Sequence, residues 1–497
     1  MKNTTAAALK DLNIKGQKSL CPPVSRISIG LATCGQATGA INLNRVLAGK
    51  KDLAGIAKVV TVGCLGACYA EPLVSVRTPD GTHYFYGKLD KQSLWHIIRA
   101  AKGEPVRQNR LAVAREREKG VLRGIQDLEF TEISSSHFER FLKPQLKRVT
   151  RRCGLIDPRN LNEYVAMEGY QALAQALFQL RPHQVIAAVE ASGLRGRGGA
   201  GFPTGQKWRI AAGNPDPVKI VIANADEGDP GAYMDRALLE SDPHSVLEGL
   251  ILAGYAIGAS TAYIFIRHEY SLAIRTLRKA ISDAQAAGLL GERILGSDYS
   301  LEVIPVESAG AFVCGEETAL LQIIENKRGE PRLRPPYPAA GGLWEHPTVV
   351  NNIETLANIP WILLHGPDDF RQVGTAKSPG TKIFCLTGDV KRMGFIEVPL
   401  GLSTQVLVEQ IGGAAKDSVK ALQIGGPSGG IIPYKNFQLD YETLSTAGAI
   451  MGSGGLVVLG YNRCVVDLAR HLVHFMADES CGKCVACRDG LPQLELK

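Results

Sequence analysis

Cysteines and glycines carry the spacing that points to chemistry in this 497-residue sequence. Cys481, Cys484 and Cys487 form C-x2-C-x2-C with Arg488 next. That spacing lets three thiolates face one side of a cuboidal iron–sulfur cluster. Cys64 and Cys68 form a second close pair, C-x3-C, with Cys34 upstream. The N-terminus has no apolar signal-type segment, so such groups read as metal sites before disulfides. His471 and His474 lie just before the last group, which leaves a zinc site of three cysteines and one histidine as its plain alternative. Cys153, Cys314, Cys385 and Cys464 are scattered and read as buried thiols.

Gly193 to Gly205 reads GLRGRGGAGFPTG, with Lys207 just beyond. Six glycines in thirteen residues let a phosphate or a flat ring lie directly on backbone N–H groups. Arg195, Arg197 and Lys207 supply positive charge for a phosphate. Gly196, Gly198 and Gly201 spell G-x-G-x-x-G, but HQVIAAVEAS before them reads as a helix, so the usual strand context of a dinucleotide fingerprint is missing. Asn224, Asp226, Glu227 and Asp229 follow the predicted strand 219–223, at the end where parallel sheets place ligand contacts. Acidic groups beside a phosphate loop suit ribose hydroxyls or ring N–H groups. Glu316 and Glu317 fall in the first turn of a predicted helix, where the helix dipole favours carboxylates; helix capping alone is their plain reading. There is no G-x-S-x-G elbow and no obvious general base.

These motifs need elements to hold them. Apolar residues make up 45% and charged residues 21%, which excludes a disordered chain. A net charge of +7 is too sparse at this length for a nucleic-acid binder. Gly249 to Ile266 is uncharged over 18 residues. Gly258, Ser260 and Thr261 interrupt it, so it reads as a buried helix and a buried strand rather than a membrane span. Five pieces are expected: a compact α/β unit over 1–102, a charged, strand-poor linker over 103–150, and an alternating strand–helix domain over 151–375. A small β-rich module over 376–445 and a helical tail over 446–497 follow. The class is multidomain α/β.

Taken together, the segments resemble the NADH-binding flavoprotein subunit of respiratory complex I and its soluble relatives, the diaphorase subunits of NAD-linked or electron-bifurcating hydrogenases and formate dehydrogenases. RGEPRLRPPYPAAGGLWEHPTVVNNIETLANIP, QIGGPSGG and SCGKCVACRDG extend the match, which runs over 150–490. The resemblance implies a thioredoxin-like ferredoxin domain, a Rossmann-like FMN and NADH domain, a ubiquitin-like SLBB module and a helical iron–sulfur domain. It implies FMN contacts at Gly196, Arg197, Gly198, Lys207, Asn224, Asp226, Glu227, Gly315, Glu316, Asn351 and Asn352. It implies NADH contacts at Phe202, Asp229, Glu317, Arg334 and Tyr337, with the two aromatics stacking and Glu317 orienting hydride transfer at the flavin. Ile210 departs from the family, whose members often carry an aromatic there.

The resemblance implies a [4Fe–4S] cluster on Cys481, Cys484 and Cys487, with a fourth cysteine about forty residues on, past Lys497; a shortened chain or another ligand is expected. At the other end Cys34, Cys64 and Cys68 resemble part of a [2Fe–2S] site, Gly39 standing where a further cysteine is expected. Cys21 is a candidate for the fourth thiolate, although a strand rising ~3.3 Å per residue would set it roughly 20 Å from Cys34 unless the leader folds back. A vestigial, cluster-free domain is the alternative. The expected setting is a cytoplasmic complex containing a small [2Fe–2S] subunit and a hydrogenase or formate dehydrogenase-like subunit, with no nucleic acid and no transmembrane segment. The competing readings are a scaffold that has lost a cofactor and a zinc-stabilised interaction subunit.

Overall fold

A computed structural model describes residues 2–497. Three sheets organise the chain. The first joins β1 (Ser25–Gly30), β2 (Ala57–Val62), β3 (Val74–Arg77), β4 (Thr82–Tyr86), β5 (Arg110–Glu116) and β6 (Leu128–Glu132) in the order β2-β1-β3-β4-β5-β6. Only β1 and β2 run parallel. Ile27, Ile29, Val74 and Val76 point to one face and form a separate small core with Leu43, Leu47 and Ile97.

The expected linker over 103–150 is corrected here, since β5 and β6 extend this sheet. Its charges misled because Arg110 and Glu116, at the two ends of β5, are buried and pair across strands instead of facing water. Arg77 donates to Glu116 at 2.6 and 3.1 Å, His83 lies 3.1 Å from the same carboxylate, and Arg110 donates to Glu132 at 2.7 Å. Ala112, Val113 and Ala114 are buried between them.

The second sheet is wholly parallel: β7 (Ile220–Ala225), β8 (Thr261–Arg267), β9 (Glu302–Ser308) and β10 (Thr348–Asn352), in the order β10-β7-β8-β9. Both faces are covered. Val221, Ala223, Ala262 and Ile264 join the main core, whereas Ile220, Ile222, Tyr263 and Phe265 meet the Glu317–Ile324 helix. The uncharged stretch resolves as expected into the buried Pro243–Ile257 helix, stopped by left-handed Gly258, and β8. A Cβ at Gly249 would lie 2.1 Å from the Leu356 carbonyl, so this helix and the Ile353–His365 helix touch backbone to backbone. No helix among the described residues is long and apolar enough to cross a membrane.

The third sheet contains β11 (Thr381–Gly388), β12 (Gly394–Pro399), β13 (Val419–Ile424), β14 (Gly430–Pro433) and β15 (Gly455–Gly460), ordered β12-β11-β15-β13-β14. The expected boundary at 445/446 cuts this sheet, because β15 lies at its centre, parallel to β11 and antiparallel to β13. The Val465–Asp478 helix forms as expected but buries no residue. Cys464 is exposed at its start rather than buried, accepting the Asp467 N–H at 3.4 Å; Cys153, Cys314 and Cys385 are buried.

Candidate functional site

Chain order fixes where a crevice opens. β7, β8 and β9 progress in one direction, and β10 returns to the other side of β7. In parallel sheets ligands bind beyond the strand C-termini at such a reversal. The register sets Asn351 opposite Ala223 and Asn352 opposite Asn224, so three amide side chains gather there. Two adjoining cavities of about 620 and about 930 Å³ occupy the crevice, sharing Gly198, Gly199, Ala200, Asn224, Gly315 and Asn352 as walls. Both are of cofactor-site size.

The glycine loop forms the floor. The Pro182–Ser192 helix ends at left-handed Gly193, so the loop does follow a helix. It doubles back through the Gly196 N–H to Phe202 carbonyl bond of 2.9 Å and enters the Thr204–Gly213 helix. A Cβ on Gly198 would sit 2.9 Å from the Asn352 Cβ, and Gly199 has φ +136°. Lys207 reaches the floor of the smaller cavity, donating to the Val350 carbonyl at 3.1 Å and pairing with Glu317 at 3.3 Å. Arg334 pairs with Glu317 at 3.4 Å and also with Glu316. Phe202 is 44% exposed and Tyr337 61%, yet both line this cavity beside Ile210. Such exposure for apolar rings at a cavity mouth suits a stacking partner.

The structure brings most of the expected residues together. Gly196, Gly198, Lys207, Asn224, Gly315, Asn351 and Asn352 line the smaller cavity, with Phe202, Glu317, Arg334 and Tyr337 at its side. Asp226, Glu227, Asp229 and Glu316 line the larger one. Arg197 is corrected. It is fully buried, and its guanidinium donates to the carbonyls of Thr381 (3.0 Å), Arg195 (3.1 Å) and Pro379 (2.7 Å). It fastens the loop to the third sheet instead of facing a phosphate. Arg195 is also engaged, stacked 4.1 Å over Tyr441 and paired with Glu442. Of the three cations expected at the phosphate, Lys207 alone meets the smaller cavity.

Several polar groups have structural work as well. Asn224 donates to the Gly315 carbonyl at 2.9 Å, and Asn352 caps the Ile353–His365 helix while donating to Asp235 at 2.6 Å. Glu316 accepts the Thr318 and Ala319 N–H groups at 2.9 Å, so its capping role is real. Glu227 accepts the Asp235 and Arg236 N–H groups at 3.0 and 3.2 Å. Asp229 accepts from Ser453 at 2.6 Å. Asp226 differs: one carboxylate oxygen is buried without a partner, and burial pushes the group up to about 6 against the pull of Arg267. An unsatisfied acceptor in a cavity wall is a place for a ligand N–H. The glycine floor, the ammonium and the unpaired acceptor together fit a flavin nucleotide.

Sequence reasoning missed Trp208, whose indole N–H donates to Asn351 at 2.8 Å from full burial, and Asp235, which holds Asn352. A tryptophan just after the loop was the available signal, since a buried indole N–H needs an acceptor.

The two cysteine groups sit in different surroundings. Cys481, Cys484 and Cys487 line the larger cavity. His474 is bound to Glu495 at 3.0 Å and Asp478 at 3.2 Å, and His471 does not line that cavity, which argues against the zinc alternative. At the N-terminal end the Cys34, Cys64 and Cys68 thiols are near neighbours. Cys21 is not with them. It lies 3.9 Å from Glu116, near Arg77 and Arg26, and burial pushes it up to about 11. Its candidacy as fourth thiolate is therefore corrected: the leader does not fold it back to Cys34. Among the described residues no three His, Cys, Asp or Glu side chains are spaced to hold a single metal ion.

Comparisons with known proteins agree with this geometry. The Nuo51 FMN-binding domain matches residues 189–361, and the NADH-ubiquinone oxidoreductase-F iron-sulfur binding region matches 467–496. The chain is 52% identical over 356 residues to the NADP-reducing hydrogenase subunit HndC of Solidesulfovibrio fructosivorans, covering 71% of this chain and 72% of that protein. It is 46% identical over 348 residues to an F-type subunit of the NADH-quinone oxidoreductase of Rhizobium meliloti, covering 69% and 82%. The crystal structure of an air-oxidised NAD+-reducing [NiFe]-hydrogenase aligns with a TM-score of 0.61 at 29% identity, over 99% of this chain and 81% of that one. The crevice, its glycine floor and these matches place the chain in the family of Nuo51-type FMN-binding flavoprotein subunits that NADH-quinone oxidoreductases and hydrogenases share.

Proposed function

We propose that this chain exchanges electrons between a nicotinamide nucleotide and iron–sulfur clusters through FMN, as one component of a hydrogenase or complex I-like enzyme. The observation that carries this reading is the crevice itself: a glycine floor with Lys207, two exposed rings at its mouth, and the wall of Cys481, Cys484 and Cys487 on its other side. When bound, FMN supplies conversion between two-electron hydride transfer and one-electron transfer. The protein's residues bind and orient. Lys207 is assigned to the flavin phosphate, and Asn224, Asn351 and Asp226 to its polar edges. Phe202 and Tyr337 flank the nicotinamide nucleotide, and Glu317 fixes its approach. Arg334 answers the nucleotide's negative charge. The three C-terminal cysteines are assigned to a [4Fe–4S] cluster. In the same reading the first sheet is thioredoxin-like, the second Rossmann-like and the third SLBB-like, and the partners include a small [2Fe–2S] subunit. The open crevice argues against a scaffold that has lost its cofactor.

The test is NADH-driven dye reduction and flavin absorbance of the purified chain. Lys207→Ala is expected to weaken FMN binding about 10- to 100-fold, the range for losing a bond to a charged group. Glu317→Ala is expected to impair NADH turnover while retaining FMN. A chain that takes up no FMN under reducing, iron-replete conditions overturns the reading.

A further inference from the structure

The N-terminal cysteine group lacks a fourth thiol, and the structure supplies another ligand. β1 and β2 are parallel neighbours, so the loops after Gly30 and after Val62 leave the same edge of the sheet. The first carries Cys34, and the second carries Cys64 and Cys68. Their thiols are near neighbours. Glu71 closes the group. It is 7% exposed, and its Oε1 lies 3.7 Å from the Cys64 Sγ. Its Oε2 is fixed by the Leu73 N–H at 2.8 Å, which aims the other oxygen at the thiols. Gly35, next to Cys34, packs against the Gly30 carbonyl, which a Cβ there would meet at 2.2 Å, and the same Cβ position lies 3.4 Å from the Glu71 Oε2, so Glu71 borders the Cys34 loop. A buried carboxylate needs a cation, a metal or strong donors, and among the described residues no arginine or lysine side chain hydrogen-bonds to Glu71.

We propose that Glu71, and not Cys21, completes a three-thiolate, one-carboxylate site for a [2Fe–2S] cluster with Cys34, Cys64 and Cys68. A binuclear cluster needs its four protein ligands spread over two iron atoms. The surroundings favour an anionic cluster. The Gly66 N–H donates to the Cys64 sulfur at 3.3 Å, and buried Lys147 donates to the Leu65 carbonyl in the same loop. One helix links the site to the flavin crevice. Cys64 N–H donates to Ser241 at 3.0 Å and Thr33 N–H to Glu240 at 2.8 Å. Both acceptors end the Met234–Ser241 helix, whose other end carries Asp235 beside Asn352. At 1.5 Å per residue that eight-residue helix spans only about 12 Å.

The test uses the full chain, reconstituted anaerobically with ferrous iron and sulfide. Bound iron, acid-labile sulfide and the electron paramagnetic resonance spectrum of the reduced protein are measured, with FMN content followed separately. Cys34→Ser and Glu71→Gln are expected to lose the [2Fe–2S] signal and its iron and sulfide, while Cys21→Ser keeps both. Glu71→Cys is expected to retain the cluster with altered g-values, which separates ligand loss from misfolding. Loss of the signal in Cys21→Ser with full retention in Glu71→Gln overturns the proposal. So does iron that stays the same across wild type and all four variants. Unchanged FMN content in any of these cases leaves the flavin reading standing on its own.

Discussion

The two cysteine regions of this chain are opposites in their packing. Cys34, Cys64 and Cys68 sit on loops clamped between the first sheet and the Met234–Ser241 helix, with Cys64 only 1% exposed. Cys481, Cys484 and Cys487 sit on a tail whose preceding helix buries nothing, and two of them are exposed. One site is held by a folded core whether or not a ligand is present. The other is tied to the body by a few surface contacts: the Phe312 N–H donates to Glu479 at 2.6 Å, Lys483 donates to the Pro331 carbonyl at 2.8 Å, and Phe475 packs edge-on against Phe312.

The largest effect expected from this contrast is on stability. Ile29 is fully buried in the small N-terminal core, whereas Val466 at the start of the tail helix is 75% exposed. Ile29→Ala is expected to cost about 2–5 kcal/mol and Val466→Ala less than about 0.5 kcal/mol. Urea unfolding followed by circular dichroism measures both. Equal costs would mean the tail is packed as tightly as the sheet, and the contrast would fail.

Thiol labelling sharpens the same contrast. In the chain stripped of metal, Cys484 and Cys487 are expected to react with iodoacetamide at least about tenfold faster than Cys64, because an alkylating reagent needs access to the sulfur. Mass spectrometry of peptides after short exposures reads the order. Faster labelling at Cys64 would show that its loop opens before the tail does.

Much of this architecture was legible in the residues. Strands over 219–223, 262–266 and 301–306 appear nearly as expected because buried parallel strands are continuous apolar runs. β5 was not legible. RLAVARE shows charge at both ends, and the partners that Glu116 finds in Arg77 and His83 and Arg110 finds in Glu132 make burial of that segment tolerable. Pairing across strands is a tertiary fact that local composition does not carry. β15 was hidden for another reason: GLVVLG is short and glycine-bounded, and its place at the sheet centre comes from long-range pairing with β11 and β13. At the site, glycine density located the floor, but not which cation faces it. Arg197 and Lys207 look equivalent as charges, and the backbone carbonyls of 379 and 381 decide between them. For Cys21 the strand length already argued for separation from Cys34, and the structure sets it beside Glu116 instead.

Acid titration separates the two ends next. Burial alone would raise Glu116, but hydrogen bonds from His83 and Arg77 and the Arg77 charge hold it down at about 2. A depressed carboxylate stabilises the fold above its unfolded value of 4.5, and that contribution is lost as pH falls from 4.5 towards 2. The N-terminal sheet is therefore expected to weaken over this window. Glu116→Gln should lower stability at neutral pH and flatten the acid limb. An acid limb of unchanged steepness in the variant would place the titrating group elsewhere.

The smallest effect belongs to the tail. His474 is raised above 6.5 by its hydrogen bond to Glu495 and the charges of Asp478 and Glu495. A raised histidine contributes stability that is full below its unfolded value and disappears as pH climbs through the folded one. The group is exposed, so solvent screens the pair and the shift in tail order is expected to be slight. Its measure is the nuclear magnetic resonance titration of the His474 ring at low salt and again at about 1 M salt, where screening acts within roughly 3 Å. The raised titration should relax towards 6.5 in high salt. Persistence at high salt would mean that the ion pair linking the Val465–Asp478 and Leu491–Glu495 helices is shielded from solvent, and the tail would then be a packed unit in its own right.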